Sequence, residues 1–451
     1  MERLTSVGSV GVLWLCGLLS ILTPLRADGA DAPSGSATQN PGLPTGTVQG
    51  AKGLSLEEVV RIALENHSSI KSAVYQTDAQ DAFLHQQMAA YYPNITFNNF
   101  YRTNNTGGRF DQAAKAFDTL SSVAIVNMTL YNFGKREGNV QSARDTLEAT
   151  QYSSNATANN IVLAAKQAYY GVVQANALLN VNEETVKDRE ATLKQTQSFY
   201  DVGTRPKSDV TQAQANLYLA QASLIAARNG VEVAWAILRN AMGVDDYAIQ
   251  PLTDDLSTVP FPMSLDEAKE AAFAARPELM QLDAQLRAQD QQVAVARRSH
   301  LPDLLLTSSY GRQAAHSEIF PLNPTWLVQL NLNIPIFNGF QTTYQLQQAL
   351  ANYGSAKEQL RLQRQQVALQ VEQNYLNLMA ARDVVKANEA AVQAAKENLD
   401  LHEARYQVGY APIVEVTTAQ TTYTTAQTSY VNALVSYKLS QAQLLNAIGR
   451  Q

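Results

Sequence analysis

The apolar positions of this chain form two long series with a period of seven. In each series a second residue, usually alanine, follows the apolar residue three positions later. This spacing is typical of a coiled coil, in which a small residue lets the backbone of the partner helix come close. A seven-residue period held over five repeats predicts left-handed supercoiling. The series are Val210, Leu217, Leu224, Val231 and Leu238, and Val416, Tyr423, Tyr430, Tyr437 and Leu444.

The two series are copies of one unit. Gly409 follows Gly203 by 206 residues, and the same shift aligns the residues on both sides of these glycines. A shift that keeps matching over this distance indicates an internal duplication. Each copy has a short Gly/Pro turn between two helical patterns, which predicts two helical hairpins. The turns are VGTRPKSDV at 202–210 and VGYAPIVEV at 408–416.

The two arms of each hairpin differ in length. No proline occurs in 134–200 or in 341–406, so each first arm can extend for ~100 Å. The return arms, 208–242 and 412–448, reach only ~50 Å. We therefore expect a shorter helix to lie end to end with each return arm.

Short helical patterns near the start of each copy provide these helices. They begin near Leu54 and Met263. Ser55 and Ser264 are suitable N-cap residues, and a glutamate three positions later, Glu58 or Glu267, predicts a capping box in both copies.

A period of two follows the short helices in each copy. Apolar and polar residues alternate in the segments 95–131 and 304–334, each interrupted by a polar loop; the second loop is expected to run through His316 and Pro324. Alternating segments of about ten residues fit transmembrane β-strands, although the alternation alone favours an ordinary half-buried soluble hairpin. A secretory signal and helices too long for an ordinary globular domain favour the membrane interpretation. Four strands cannot close a barrel, so the membrane interpretation requires several chains to contribute 8, 12 or 16 strands.

The N-terminus has the pattern of a secretory signal. The segment 4–25 is uncharged and apolar, and Ala27 offers a cleavage position; the alternative is a retained membrane anchor. The only cysteine, Cys16, lies within this segment, so the mature chain is expected to have no thiol. Residues 28–53 are rich in Gly, Pro, Ala, Ser and Thr and predict a flexible linker. The expected organisation is a signal at 1–27, a linker at 28–53, repeats at 54–248 and 263–451, and an inter-repeat linker at 249–262.

Composition excludes several classes of function. Only 16% of residues are charged and the net charge is −6, with no basic run, which argues against a nucleic-acid partner. The five histidines are scattered, and no Gly-rich phosphate loop precedes a lysine. We expect neither catalysis nor a bound metal or cofactor.

The order of these elements resembles the TolC-type outer-membrane efflux channels. The resemblance covers the chain after about Leu54. Two pairs of motifs, YYPNI with LPDLL and LYNFG with IFNGF, and the single motif RYQVGYAPIVEV support it. It implies a mainly α-helical fold of duplicated hairpins with four strands per chain in a shared β-barrel. It further implies a homotrimer in the outer membrane with a periplasmic tunnel, contacting outer-membrane lipid. The implied partners are a periplasmic adaptor, also called a membrane fusion protein, and an inner-membrane pump.

The resemblance also assigns roles at the hairpin tips. Gly203, Gly409, Pro206 and Pro412 correspond to the tip that meets the adaptor. Asp209 and Glu415 correspond to gate carboxylates, although first-turn acids that complement the helix dipole are an equal alternative. The arginine that the family often has two residues after the second glycine is Ala411 here, and a further family carboxylate is Thr418. We therefore expect Arg205 to pair with Asp209 or Glu415 across adjacent hairpins.

Two functions are compatible with these observations. The first is a passive conduit of a tripartite efflux or type I secretion system, gated at its periplasmic tip. The second is a structural coiled-coil protein of the cell envelope without a pore. The strands distinguish them, because only a conduit requires an apolar lipid-facing surface.

Overall fold

The computed structural model describes residues 53–106, 115–253, 256–257, 261–315 and 322–450. The signal, Cys16, most of the linker, the first polar loop and His316 lie outside these ranges. The first copy comprises α1 (Leu56–Asn66), α2 (Ser68–Met88), β1 (Asn94–Thr106), β2 (Lys115–Tyr131), α3 (Lys135–Asp201) and α4 (Lys207–Met242). The second comprises α5 (Leu265–Ala275), α6 (Pro277–Arg298), β3 (Asp303–Ala315), β4 (Asn323–Asn333), α7 (Gln341–Gln407) and α8 (Ile413–Ile448).

The duplication is visible in the lengths of the helices. The long helices α3 and α7 have 67 residues each, and the return helices α4 and α8 have 36 each. None of the helices in the described ranges combines the length and the apolar character that a membrane-crossing helix requires. The predicted fold class, duplicated long helical hairpins with four strands, is confirmed.

The short helices lie end to end with the return helices, as expected from the arm lengths. Gly243 ends α4 with a φ of +70°, and a Cβ atom there would be 2.7 Å from Cα of His67, the N-cap of α2. Gly449 ends α8 in the same way, and a Cβ atom there would be 3.0 Å from the backbone of Ala275, just before α6. Left-handed glycines therefore close each junction where no side chain fits.

The two N-caps differ in detail. Ser264 and Glu267 form a complete capping box, with the Ser264 amide donating to Glu267 at 2.8 Å. Ser55 accepts from the Glu58 amide, but the Glu58 carboxylate instead accepts from Arg61 at 2.6 Å. The predicted box in the first copy is therefore only half formed, because an arginine three residues away competes for the carboxylate.

The strands form one antiparallel sheet in the order β1-β2-β3-β4. The register places Phe97 opposite Ala124, Tyr310 opposite Trp326, and Leu306 opposite Leu330. Because side chains alternate between faces, one face is largely apolar across all four strands and the other carries mainly Thr, Ser, Asn and Gln. The predicted loop residue Pro324 instead lies in β4, which is an edge strand within the chain. An edge strand tolerates proline because the missing backbone N–H need not break a hydrogen bond of the sheet.

The helical seams contain the apolar core. One cluster includes Tyr169, Trp235 and Leu238 in the first copy, and a second includes Leu378, Tyr437 and Leu444 in the second. Of the three tyrosines predicted to lie in the seam, Tyr437 is fully buried and Tyr430 partly buried against the second cluster. Tyr423 is half-buried, with the Lys396 ammonium 5.3 Å from its ring centre.

The small seam residues give a stability test. Ala433 is 5% exposed, whereas its counterpart Ala227 is half-buried. Because the seam at Ala433 has no room for three more carbon atoms, we expect Ala433→Leu to cost about 1–3 kcal/mol and Ala227→Leu less. Thermal unfolding of the detergent-purified variants measures the difference. An Ala433→Leu protein that melts at the parental temperature would show that this seam is loosely packed.

Candidate gate and docking tip

The two hairpin tips have nearly the same backbone. Gly203 and Gly409 have φ values of +75° and +87°. The Gly203 amide donates to Tyr200 O at 2.9 Å, and the Gly409 amide donates to Tyr406 O at 3.1 Å. Left-handed glycine at the end of a helix satisfies the last carbonyl groups and reverses the chain. In the part of the chain that the structure describes, no atom beyond the adjacent residues lies within 4 Å of a Cβ built at either glycine, so both tips are open on this side.

Proline starts each return helix. Pro206 and Pro412 are the N-cap residues of α4 and α8, with φ near −75° and extended ψ. Their carbonyls accept from the amides of Asp209 and Glu415 at 3.1 Å. The local sequence therefore places both carboxylates in the first helical turn, where the helix dipole favours a negative charge.

Arg205 joins the two tips. Its Nη2 donates to the carbonyl oxygen of Ala411 at 3.1 Å, and its guanidinium lies 4.8 Å from the ring centre of Tyr406. Ala411 is the residue at the repeat-equivalent position of Arg205. One side chain of the first hairpin thus holds both the turn and the long helix of the second.

Tyr406 is the centre of a small apolar cluster at the tips. It is 1% exposed and packs edge-on against Phe199, with ring centres 5.8 Å apart. Its hydroxyl is buried without a hydrogen-bond partner within the described ranges. Burial raises the pKa of this hydroxyl, and the nearby Asp209 carboxylate raises it further. The repeat-equivalent Tyr200 is 40% exposed, so the two tips are not interchangeable.

Glu415 is held by its own hairpin. Its Oε2 lies 3.1 Å from His402 Nδ1 and 3.7 Å from Arg405 Nη1. The Asp209 carboxylate accepts a long hydrogen bond, 3.5 Å, from the Ser208 hydroxyl. Among the described residues Arg205 forms an ion pair with neither carboxylate. The predicted pairing of Arg205 with Asp209 or Glu415 is thus not made within the chain, and between copies of the chain it stays a prediction.

A second polar contact between the hairpins lies farther from the tips, on α3 and α8. Arg189 and Gln420 are 7% and 3% exposed, and Arg189 Nη1 donates to the Gln420 amide oxygen. Arg189 Nη2 also donates to Thr421 at 3.1 Å, while Gln420 donates to Thr192 at 2.8 Å. Burial lowers the pKa of Arg189. No acid lies within ion-pair distance of this guanidinium in the part of the chain described here, so amide and hydroxyl oxygens alone satisfy it.

The sequence analysis did not identify this contact. Arg189 lies between two acids in KDRE, which resembles a solvated helix face. A signal was present, however: Asn182, Arg189 and Thr196 occupy the positions three residues after the apolar seam residues of α3. Polar residues at seam positions specify the partner and register of a coiled coil rather than its stability.

Several apolar residues are exposed at the tips. Val202, Val408 and Tyr410 are exposed, Tyr410 by 82%, together with both prolines and Val414. Exposed apolar residues gathered at one end of a molecule are typical of a protein-binding surface. Across the described ranges, no three His, Cys, Asp or Glu side chains converge as a metal site requires.

Comparisons with a family model and with known proteins agree on one family. The family described as outer membrane efflux protein matches residues 59–244 and 269–450. The outer membrane protein TolC of Vibrio cholerae is 28% identical over 411 residues, covering 88% of this chain and 90% of that protein. The outer membrane efflux protein BepC of Brucella suis is 26% identical over 414 residues, covering 90% and 89%.

Solved structures share the fold. The CmeC outer membrane channel of Campylobacter jejuni superposes with a TM-score of 0.77 at 18% identity, covering 87% of this chain and 85% of that one. The open state of the MtrE outer membrane channel of Neisseria gonorrhoeae gives a TM-score of 0.75 at 18% identity, covering 88% and 89%.

Proposed function

This chain belongs to the outer membrane efflux protein family, and from that premise we propose that three copies form a gated conduit, which receives cargo from a periplasmic adaptor and an inner-membrane pump. The protein is an outer-membrane efflux channel with a large periplasmic helical part, and it is not an enzyme. Trimeric assembly, adaptor docking and gating are the proposed elements.

The sheet is the observation that carries the proposal. Its apolar face includes Trp326, 74% exposed, and Val328 and Leu330, both more than 60% exposed. The outer edges of β1 and β4 pair with no described strand. Exposed apolar side chains are favourable when they face lipid, and lipid does not tolerate unpaired strand edges. In a membrane the sheet therefore needs partners for both of its edges. Three copies give twelve strands, which close a barrel with the polar face inward.

The two contacts between hairpins support a gate. Arg205 and Arg189 each connect the first hairpin to the second, and each makes hydrogen bonds that separation of the hairpins would break. We infer that both hold the tips together in the closed tube. Three Asp209 and three Glu415 carboxylates around one axis would place like charges close together and attract cations.

The exposed apolar tips support docking. Gly203, Gly409, Pro206 and Pro412 fix two similar turns that present Val202, Val408 and Tyr410 outward. We infer that hairpin ends of the adaptor contact this surface. The two prolines fix φ at the start of each return helix, which restricts the shape of the surface and reduces the ordering cost of binding.

Electrical recording distinguishes the proposal from a structural coiled-coil protein. We expect the detergent-purified protein to be a trimer by light scattering, because open sheet edges are satisfied only by other copies. In a planar bilayer we expect discrete conductance steps. A monodisperse monomer would contradict the barrel, and a trimer that never conducts would favour the structural alternative.

A further inference from the structure

The repeat predicts which surfaces of two copies meet. The short helices α2 and α6 are equivalent at a shift of 209 residues, since Ala79-Gln80-Asp81 aligns with Ala288-Gln289-Asp290 and Pro93 with Pro302. The long helices α3 and α7 are equivalent at a shift of 206 residues. Any contact between α3 and α6 therefore has an equivalent between α7 and α2.

The contact between α3 and α6 is made within the chain. Arg287 Nη2 lies 2.8 Å from Glu148 Oε1, and Ser142 Oγ donates to Ala288 O at 3.1 Å. A Cβ atom on Gly138 would be 2.5 Å from the side chain of Val295. This face of α3 is buried, and Ala284, one turn before Ala288, is fully buried.

The equivalent faces of α7 and α2 are uncovered. Tyr344, which corresponds to Gly138, is 66% exposed, and Gln348, which corresponds to Ser142, is exposed as well. On α2, Tyr75 corresponds to Ala284 and is 73% exposed, with the small residues Ala79 and Ala82 beside it. A second copy of the chain provides the helix that each face lacks.

The sizes of the side chains at one level of this contact are exchanged between the repeats. Within the chain, the small Ala284 of α6 lies three residues before Arg287, which contacts the larger Glu148 of α3. The equivalents are the large Tyr75 on α2 and Gly354 on α7. Glycine inside a helix is destabilising relative to alanine, and close packing of another helix at Gly354 would account for its presence there. Among the described residues, no atom outside the neighbouring turns of α7 lies within 4 Å of a Cβ built at Gly354, so the missing side chain leaves a notch on the surface of this helix.

We propose that Tyr75 of one copy inserts into the notch at Gly354 on α7 of the next copy. A rigid aromatic side chain buries a large area at low entropy cost, as is common at the centre of interfaces. The contact repeats around the ring and fixes the vertical register between neighbouring chains. This inference rests on the proposed assembly, and it adds the register and the residues that set it.

Disulfide trapping tests the register in the full-length protein. Cys16 is the only cysteine of the sequence, so a Cys16→Ser background removes competing thiols. We expect Tyr75→Cys with Gly354→Cys to form covalent dimers and trimers under mild oxidation, and reduction to reverse them. The register control pairs Tyr75→Cys with Arg361→Cys. Seven residues along the helix is about 10 Å, beyond the ~7 Å limit between the Cα atoms of a disulfide.

Two results would overturn the inference in a sample that is trimeric by light scattering. In the first, the Gly354 pair does not cross-link; in the second, the Arg361 pair cross-links equally well. A sample that is monomeric would contradict the proposed function instead.

A volume exchange provides an independent test. We expect Gly354→Tyr to reduce the fraction of SDS-resistant trimer by filling the notch, and Tyr75→Ala to restore it in the double variant. If Gly354→Tyr leaves the trimer unchanged, or if the second substitution restores nothing, Tyr75 and Gly354 do not meet.

Discussion

Export falls to the level of a strain lacking the channel when Gly203 and Gly409 are both replaced by tryptophan, while the folded oligomer remains in the outer membrane. A Cβ built at either glycine meets no atom beyond the adjacent residues in the described ranges, so the indole rings displace none of the described side chains there. The left-handed backbone adds local strain of about 1–2 kcal/mol per site, which leaves the long helices intact. The rings instead cover the proposed docking surface. Survival in a minimum-inhibitory-concentration assay and immunoblots of outer membranes measure the two quantities.

The matched control is Gly203→Ala with Gly409→Ala. It carries the same backbone strain without the bulk, so we expect export close to the parental level. Normal export by the tryptophan variant would exclude the tips from docking. Loss of export in both variants would assign the effect to the turn conformation rather than to a covered surface.

The conductance of the isolated channel, which is closed in the parental protein, rises when Arg205 is replaced by serine. The substitution removes the hydrogen bond to Ala411 O and the cation–π contact with Tyr406, which together link the hairpins at the tips. If each link contributes about 1 kcal/mol, three links contribute on the order of 3 kcal/mol. The open population then rises on the order of a hundredfold. Single-channel recording in planar bilayers measures the change.

Arg205→Lys is the informative control for this gate. Lysine keeps the charge but lacks the planar fork that reaches the carbonyl while covering the ring, so we expect an intermediate conductance. Tyr406→Phe keeps the ring and removes a hydroxyl that has no partner, so we expect it to stay closed. A parental conductance in Arg205→Ser would exclude the latch.

Periodicity made the fold readable from the sequence. The heptads, the proline-free arms and the Gly/Pro turns specify helices, and the return helix predicted at 208–242 is observed at Lys207–Met242. The strands were readable because alternation and proline mark them. Pro324 was misassigned because the tolerance of an edge strand for proline depends on the sheet order, which no local pattern encodes.

The contacts of the candidate gate were less accessible to sequence reasoning. Residue types indicated that Arg205 needs a partner and favoured a carboxylate, whereas within the chain its partners are a backbone carbonyl and an aromatic face. Every residue has a carbonyl, so this choice leaves no trace in the sequence. The burial of Arg189 was equally hidden, because it depends on the approach of α8, which is 231 residues away at Gln420.

The difference between Tyr200 and Tyr406 bears on how such a pore can evolve. A ring of six identical hairpins would carry any arginine or tyrosine at six equivalent places, and each change would act six times. When two hairpins are linked in one chain, the same ring consists of three chains, and its symmetry is threefold instead of sixfold. Neighbouring hairpins are then free to diverge, so that one presents Arg205 and the other the carbonyl of Ala411 that receives it. After gene duplication, one repeat could thus provide the hydrogen-bond donor and the other repeat the acceptor.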